Sequence, residues 1–506
     1  MGFVDVDTDA GRLRGAELGA LKFFLGVPYG ASTAGANRFR PPQPVTPWEG
    51  VREAVAFGPA CPQSAYSESP SVRSAKMGFL QHPVGGTALE GGEISEDCLH
   101  LNVWAPAATT SPTPVLVWLH GGGFMFGSGN EGWFNGDILA TAENIIVVTV
   151  THRLGLFGFL DLDGAPGYSP NAGMLDIVAA LQWVSRNIAA FGGDPSRVTI
   201  AGHSGGAAKV AALLAMPVAK GLFHNAIMQS GPITQFHSSE ETAALRKGLL
   251  DALDNPPLSA LKDIPVDILL RAQEKVLAGI SGTSTLGESS AIPGFAPSTD
   301  ETLPNGPFDG ATTDVSLMIG CTAHEIAAFL LDAPFFTQDL SDAAAVVVLE
   351  QFAGQHAGDL YSAAAAISAD EPPHLRLARA LGIGGFEQGT DAIARAVNDG
   401  GGLVWQYRFD QTTEALDGLL GACHAIEIPY VFGTIDRTPL TGRAPGRHEL
   451  SCRMMQAWAS FVRDGKPALA SEWQSWTPDN PYVRHFSIAS TRTILHEKSS
   501  AALAHA

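Results

Sequence analysis

Three short apolar runs constrain this chain more than any other feature. Val115–Leu119 reads VLVWL, Ile145–Val150 reads IIVVTV and Arg197–Gly202 reads RVTIAG. Each is too short for a buried helix and rich in β-branched residues, so each is predicted to be a strand. Between the second and third, Ile177, Leu181, Val184 and Ile188 recur at helical spacing, with Asp176 near the start. A helix-compatible stretch from Ala207 to Ala215 follows the third run. Ser316–Ile319 and Leu403–Phe409 are later strand candidates, and a helix is expected around Met454, Trp458 and Phe461. The Ala-rich stretches Ala343–Leu349 and Ala363–Ile367 also read as helices. Strands alternating with helices imply an α/β protein with a mostly parallel central sheet covered on both faces. In such sheets the site lies beyond the carboxyl ends of the strands. The segment from Pro232 to Thr313 carries no clean period and is expected to supply helices and loops that cap the site. With no linker and no internal repeat in view, one domain spanning residues 1–506 is expected.

Composition narrows the function. A net charge of −20 argues against nucleic acid and anionic membrane as partners, because both need a positive surface. No apolar run reaches the length of a membrane span. The start, MGFVDVDTDAG, has neither the basic nor the apolar region of a signal peptide, and Val6 stands where myristoylation wants Ser or Thr. A cytoplasmic protein is therefore expected. Five cysteines in 506 residues make no disulfide scaffold, and no pair shows zinc-type spacing, so no metal is expected.

Chemistry is carried by two glycine-rich turns. Gly202-His203-Ser204-Gly205-Gly206 is a G-x-S-x-G motif lying directly between a predicted strand and a predicted helix. That is the setting a nucleophile elbow requires, and it presents Ser204 at the sheet's edge. His120-Gly121-Gly122-Gly123-Phe124 follows the strand Val115–Leu119. Its glycines leave backbone N–H groups free to converge on one point, as stabilisation of an acyl-transfer oxyanion demands. Gly127-Ser128-Gly129-Asn130-Glu131-Gly132 matches the dinucleotide pattern in form. It sits several residues past its strand, inside the same loop, and is set aside as a nucleotide site.

Several further blocks carry a resemblance. They are Phe24-Leu25-Gly26-Val27-Pro28-Tyr29, Arg38-Phe39-Arg40-Pro41-Pro42, Trp48-Glu49-Gly50, Glu96-Asp97-Cys98-Leu99 with Leu101-Asn102-Val103, and Phe191-Gly192-Gly193-Asp194-Pro195 leading into the elbow. Gly221-Leu222-Phe223 and Gln229-Ser230-Gly231 continue the series. With these blocks in order over nearly its whole length, the chain resembles the type B carboxylesterases. That family includes bacterial p-nitrobenzyl esterases, cholinesterases and the non-catalytic neuroligins. The resemblance implies an α/β-hydrolase fold and a Ser–Glu–His triad. The family acid follows a strand in a Gly-x-x-x-x-Glu stretch, here Gly320 to Glu325, although Ile326 stands where a glycine is usual. Asp332 and Asp300 are weaker candidates. The family histidine precedes a stretch matched by Glu427-Ile428-Pro429-Tyr430-Val431-Phe432-Gly433, which makes it His424.

By the same resemblance the oxyanion donors are the N–H groups of Gly122, Gly123 and Gly205, the last replacing a usual alanine. His203 replaces the family's acidic neighbour of the nucleophile, and no choline-stacking tryptophan is evident in Tyr66–Pro83. Choline esters are therefore not expected. His203 either meets substrate or fills space. Arg38 should pair with Glu96, and Arg153 with Asp176. Cys61 and Cys98 match the family's first disulfide, although a reducing cytoplasm favours free thiols. Phe124, Phe126 and Phe329 are candidate pocket walls, or else core.

The implied reaction is ester hydrolysis through an acyl-enzyme on Ser204, with no metal or organic cofactor, on small to medium neutral esters. Two alternatives stand beside it: an amidase or carbamate hydrolase on the same machinery, and a non-catalytic binding protein of the neuroligin kind. The sequence leaves the oligomeric state open.

Overall fold

The structure is a computed structural model. It describes residues 2–63, 93–108, 111–231, 236–280, 294–306, 315–468, 473–489 and 493–495. Among them, thirteen strands form one sheet. In chain order these are β1 Gly2–Asp7, β2 Arg12–Leu18, β3 Leu21–Pro28, β4 Val51–Glu53, β5 His100–Pro106, β6 Thr113–Leu119 and β7 Ile146–Val150. Then follow β8 Gly193–His203, β9 Asn225–Gln229, β10 Ser316–Thr322, β11 Val404–Phe409, β12 Tyr482–Phe486 and β13 Thr493–Leu495. The spatial order is β1-β2-β3-β5-β7-β6-β8-β9-β10-β11-β12-β13, with β4 beside β2. From β7 to β12 every pairing is parallel, whereas the strands at both edges pair antiparallel except β4, which runs parallel to β2.

The central strands lack polar alternation because both their faces are covered. Along β6, Val115, Val117 and Leu119 enter one core with Ile177, Leu181 and Ile200. Leu116 and Trp118 enter the other, with Trp458, Phe432 and Tyr407. The helix Ala172–Asn187 carries Ile177, Leu181 and Val184 of the predicted stripe, with Ile188 at its C-cap, and the helix Arg447–Asp464 carries Met454, Trp458 and Phe461. Helices Asp342–Ala353 and Ala357–Ile367 hold the two Ala-rich stretches.

The described part of the Pro232–Thr313 segment contains helices Ser239–Ala252 and Val266–Ile280. Ser238 and Glu241 form a capping box at the first. Two contacts tie this segment to the site. Gln273 Oε1 accepts from the Leu156 N–H at 2.8 Å, and a Cβ on Gly294 would lie 3.2 Å from Met125 Sδ in the triple-glycine loop. Both expected ion pairs are present and buried: Arg38 Nη2 lies 2.6 Å from Glu96 Oε2, and Arg153 Nη2 lies 2.6 Å from Asp176 Oδ1. Among the described residues no helix is long and apolar enough to cross a membrane.

Candidate active site

β8 ends at His203, and the helix Gly205–Ala215 starts one residue later. Ser204 makes the turn between them, at φ 55° and ψ −122°. A non-glycine residue there carries strain of about 1–3 kcal/mol, which the surrounding packing must hold. Three glycines allow the turn. A Cβ on Gly202 would meet Gly206 C at 2.3 Å, one on Gly206 would meet Leu119 O at 2.0 Å, and one on Gly205 would meet Gly123 O at 2.1 Å. The strand, the nucleophile turn and the triple-glycine loop therefore touch through bare backbone. Ser204 is the helix N-cap residue, yet its side chain makes no capping hydrogen bond. Its hydroxyl is left for other work beside a helix N-terminus.

The triple glycine approaches from β6. Gly122 and Gly123 take φ of 87° and 63°. A Cβ on Gly121 would lie 3.7 Å from Ser204 Cβ. Phe124, which follows, is fully buried edge-on to Phe159, ring centroids 5.1 Å apart. It belongs to the core and not to an open wall. Phe126 and Phe329 are half-exposed, and the Phe329 ring lies 5.1 Å from the His424 ring.

A backbone bridge between His324 and Cys423 brings two distant segments into register. It sets Glu325 beside His424, whose Nδ1 donates to Glu325 Oε2 at 2.5 Å. A carboxylate can only accept, so this contact puts the Nδ1 proton on His424 and leaves Nε2 as the basic nitrogen. Glu325 is fully buried, and its Oε1 accepts from the Thr322 N–H at 2.6 Å. The rival acids are placed elsewhere. Asp332 is exposed, and Asp300 Oδ1 is engaged by Thr302 and Leu303 in its own turn.

His203 is buried, with its ring 4.4 Å from that of His424 and its Nε2 without a hydrogen-bond partner. Burial, with His424 adding to it, holds His203 well below the ordinary histidine range. An imidazole held below that range carries no charge at neutral pH. The choline-tryptophan segment, Tyr66–Pro83, lies outside the described residues. Cys61 and Cys98 are buried free cysteines, and the Cys98 thiol is pushed up by its hydrogen bond with Cys61 and by burial. Burial likewise raises the Cys321 and Cys423 thiols, which makes them poor nucleophiles.

Three further residues stand at the site with no role read from the sequence, although Glu427 belongs to the stretch that marks His424. Phe386, in a π-helical turn Ile383–Glu387, lies 5.6 Å from the His424 ring. The buried Glu427 carboxyl is pushed up to about 7 by burial and by the nearby Glu325. Its Oε1 accepts from Gln229 Nε2 at 3.3 Å and from Ser230 Oγ at 3.4 Å. Lys209, in the helix after Ser204, is fully buried, and its Nζ donates to the His120 carbonyl at 3.0 Å. A lone lysine in the apolar run Ala207–Ala215 was the one available signal. Among the described residues no cluster of three or more His, Cys, Asp or Glu side chains is arranged to hold a metal ion.

Comparison with known proteins shows the family. The carboxylesterase family model matches residues 3–502. The chain is 34% identical over 483 residues to para-nitrobenzyl esterase of Bacillus subtilis (strain 168), covering 93% of this chain and 92% of that protein. It is 34% identical over 492 residues to phenmedipham hydrolase of Pseudarthrobacter oxydans, covering 94% and 93%. The solved structure of a thermophilic PNB esterase superposes with a TM-score of 0.80 at 31% identity, over 98% of each chain.

Proposed function

The chain belongs to the carboxylesterase family and is a serine carboxylic ester hydrolase; from that premise we propose that Ser204, His424 and Glu325 perform its chemistry. The observation that carries the assignment is the 2.5 Å contact between His424 Nδ1 and the buried Glu325, beside the strained turn at Ser204. His424 Nε2 takes the Ser204 proton as Oγ attacks the ester carbonyl. The N–H groups of Gly122, Gly123 and Gly205 hold the tetrahedral oxyanion. Protonated His424, steadied by Glu325, gives its proton to the departing alcohol and leaves an acyl-Ser204. Water then repeats the sequence, with His424 as base, and releases the carboxylic acid.

Small to medium neutral esters are the proposed substrates. The rings that touch His424 among the described residues are His203, Phe329 and Phe386. None of the three brings a charge next to the base, which favours an uncharged substrate. Residues 1–506 are read as one domain, since one sheet joins both ends of the chain.

Replacing Ser204 by alanine tests the assignment. Hydrolysis of p-nitrophenyl acetate should fall about 10⁴-fold or more, because the members of a triad act as a unit. A fluorophosphonate should label wild type at Ser204 alone. Labelling at a different serine refutes it.

A further inference from the structure

The helix after the nucleophile carries one charge in an apolar run, Ala207-Ala208-Lys209-Val210-Ala211-Ala212. Lys209 is as buried as the alanines around it. Burying an ammonium is costly, and a leucine or methionine would fill the same space without that cost. Its contacts explain the charge. Nζ donates to the carbonyl oxygen of His120 at 3.0 Å and lies 5.6 Å from the centroid of the Phe124 ring. His120 and Phe124 are the residues that bracket Gly121-Gly122-Gly123. One cation therefore grips both ends of the triplet, by a charged hydrogen bond on one side and a cation–π contact on the other. Farther along the same loop, half-buried Glu131 accepts from the Ser128 N–H at 3.2 Å and from Trp133 Nε1 at 2.7 Å, and its field acts on Lys209.

We propose that charged Lys209 is a positioning residue for the oxyanion loop, pinning the triple glycine to the nucleophile helix so that its N–H donors are set before substrate arrives. Three glycines have no side chains with which to hold themselves, and donors that must reorganise during reaction stabilise an oxyanion poorly. The inference rests on the reading of Gly122 and Gly123 as oxyanion donors.

A loss of rate at alkaline pH follows. Burial brings Lys209 down to about 7, with Glu131 opposing the shift. Deprotonation leaves a weak donor to His120 and removes the cation–π contact. Two histidines and one carboxylate also feel the ammonium. Burial holds His120 and His152, stacked 5.0 Å apart, well below the ordinary range, and it raises the Glu131 carboxyl. Glu427 also titrates near neutrality, but in the cluster around Glu325 and His424. Stability should move the opposite way. Between about 7 and the unfolded lysine value of about 10.4 the unfolded chain binds the extra proton, so Lys209 contributes more stability as pH rises. A side chain that only filled space would not set rate against stability.

The test is kcat and KM for p-nitrophenyl acetate between pH 6 and 9.5 in wild type, Lys209→Met and Lys209→Gln, each titrated with a fluorophosphonate. Wild type should show an alkaline decline in kcat at near-constant KM. Both variants should be about tenfold slower at pH 6.5 and show no decline, while labelling stoichiometrically at Ser204. Full labelling with wild-type kcat and an intact alkaline limb overturns the role of Lys209 alone; failure of wild type to label at Ser204 overturns the triad reading instead. A Gln variant as fast as wild type shows that charge is not needed, and the proposal fails. Should neither variant fold, a wild-type kcat that stays flat from pH 7.5 to 9.5 overturns it.

Discussion

At the scale of single residues, the site depends on what is missing as much as on what is present. By resemblance Gly205 replaces a usual alanine and its proposed donor is main chain, yet a Cβ there would lie 2.1 Å from Gly123 O. Gly205→Ala should push the oxyanion loop outward and lower kcat about 10–100-fold with little change in KM, the pattern of a lost transition-state contact. Steady-state kinetics on an ester checks this, and wild-type kcat would show that the loop yields without harm. The acid can be tested equally directly. Glu325→Gln keeps the shape but removes the charge that steadies protonated His424. Activity should fall by orders of magnitude, though less than for Ser204→Ala. An active Glu325→Gln alongside a dead Asp332→Asn would mean that the wrong carboxylate was chosen.

At the scale of elements, the site is made where elements end. β6 delivers the triple glycine, β8 the proposed nucleophile and β10 the proposed acid, all at the carboxyl ends of parallel strands. Their order was legible because strands covered on both faces read as unbroken apolar runs. The antiparallel strands β1 to β3 were not. Gly2–Asp7 is exposed along most of its length, and its alternation is only two half-buried residues, Val4 and Val6, interleaved with Asp5 and Asp7. The π-helical turn bearing Phe386 also left no motif, because its relation to His424 arises only in three dimensions. Buried ion pairs hold the elements in place. Arg153 donates Nε and Nη2 to Asp176 at 2.8 and 2.6 Å and reaches the Arg40 carbonyl at 2.7 Å. Asp176→Asn strands a buried guanidinium and should cost about 3–5 kcal/mol, measured by urea unfolding. A loss under 1 kcal/mol would mean that water reaches the pair.

Across the whole molecule, burial of histidines should dominate acid stability. His100 is held at about 4, and His120, His152 and His203 well below the ordinary value, all chiefly by burial. Below the unfolded value of about 6.5 the unfolded chain binds more protons than the folded one, so stability falls as pH falls through this window. Glu427, raised to about 7, and Glu131, also raised, oppose the trend over an overlapping window, but they are fewer. The midpoint of thermal unfolding should therefore be lower at pH 5 than at pH 7.5. An equal or higher midpoint at pH 5 would show that the raised carboxylates outweigh the histidines.

The amino-acid order by itself determined the strand–helix alternation, the turn at Ser204 and the identity of the triple-glycine loop. Each depends on local patterning: periodicity for the elements, and freedom from Cβ clashes for the glycines. The remaining decisions needed distance. Glu325 and His424 are 99 residues apart in sequence, and the pairing of His324 with Ala422 and Cys423 brings them together. Phe124 looks like any phenylalanine beside a site until the fold buries it under Lys209. The charge states of His203, Glu427 and Lys209 follow from which groups are excluded from water beside them. That exclusion belongs to the packed molecule, because desolvation acts only once other parts of the chain have displaced the solvent.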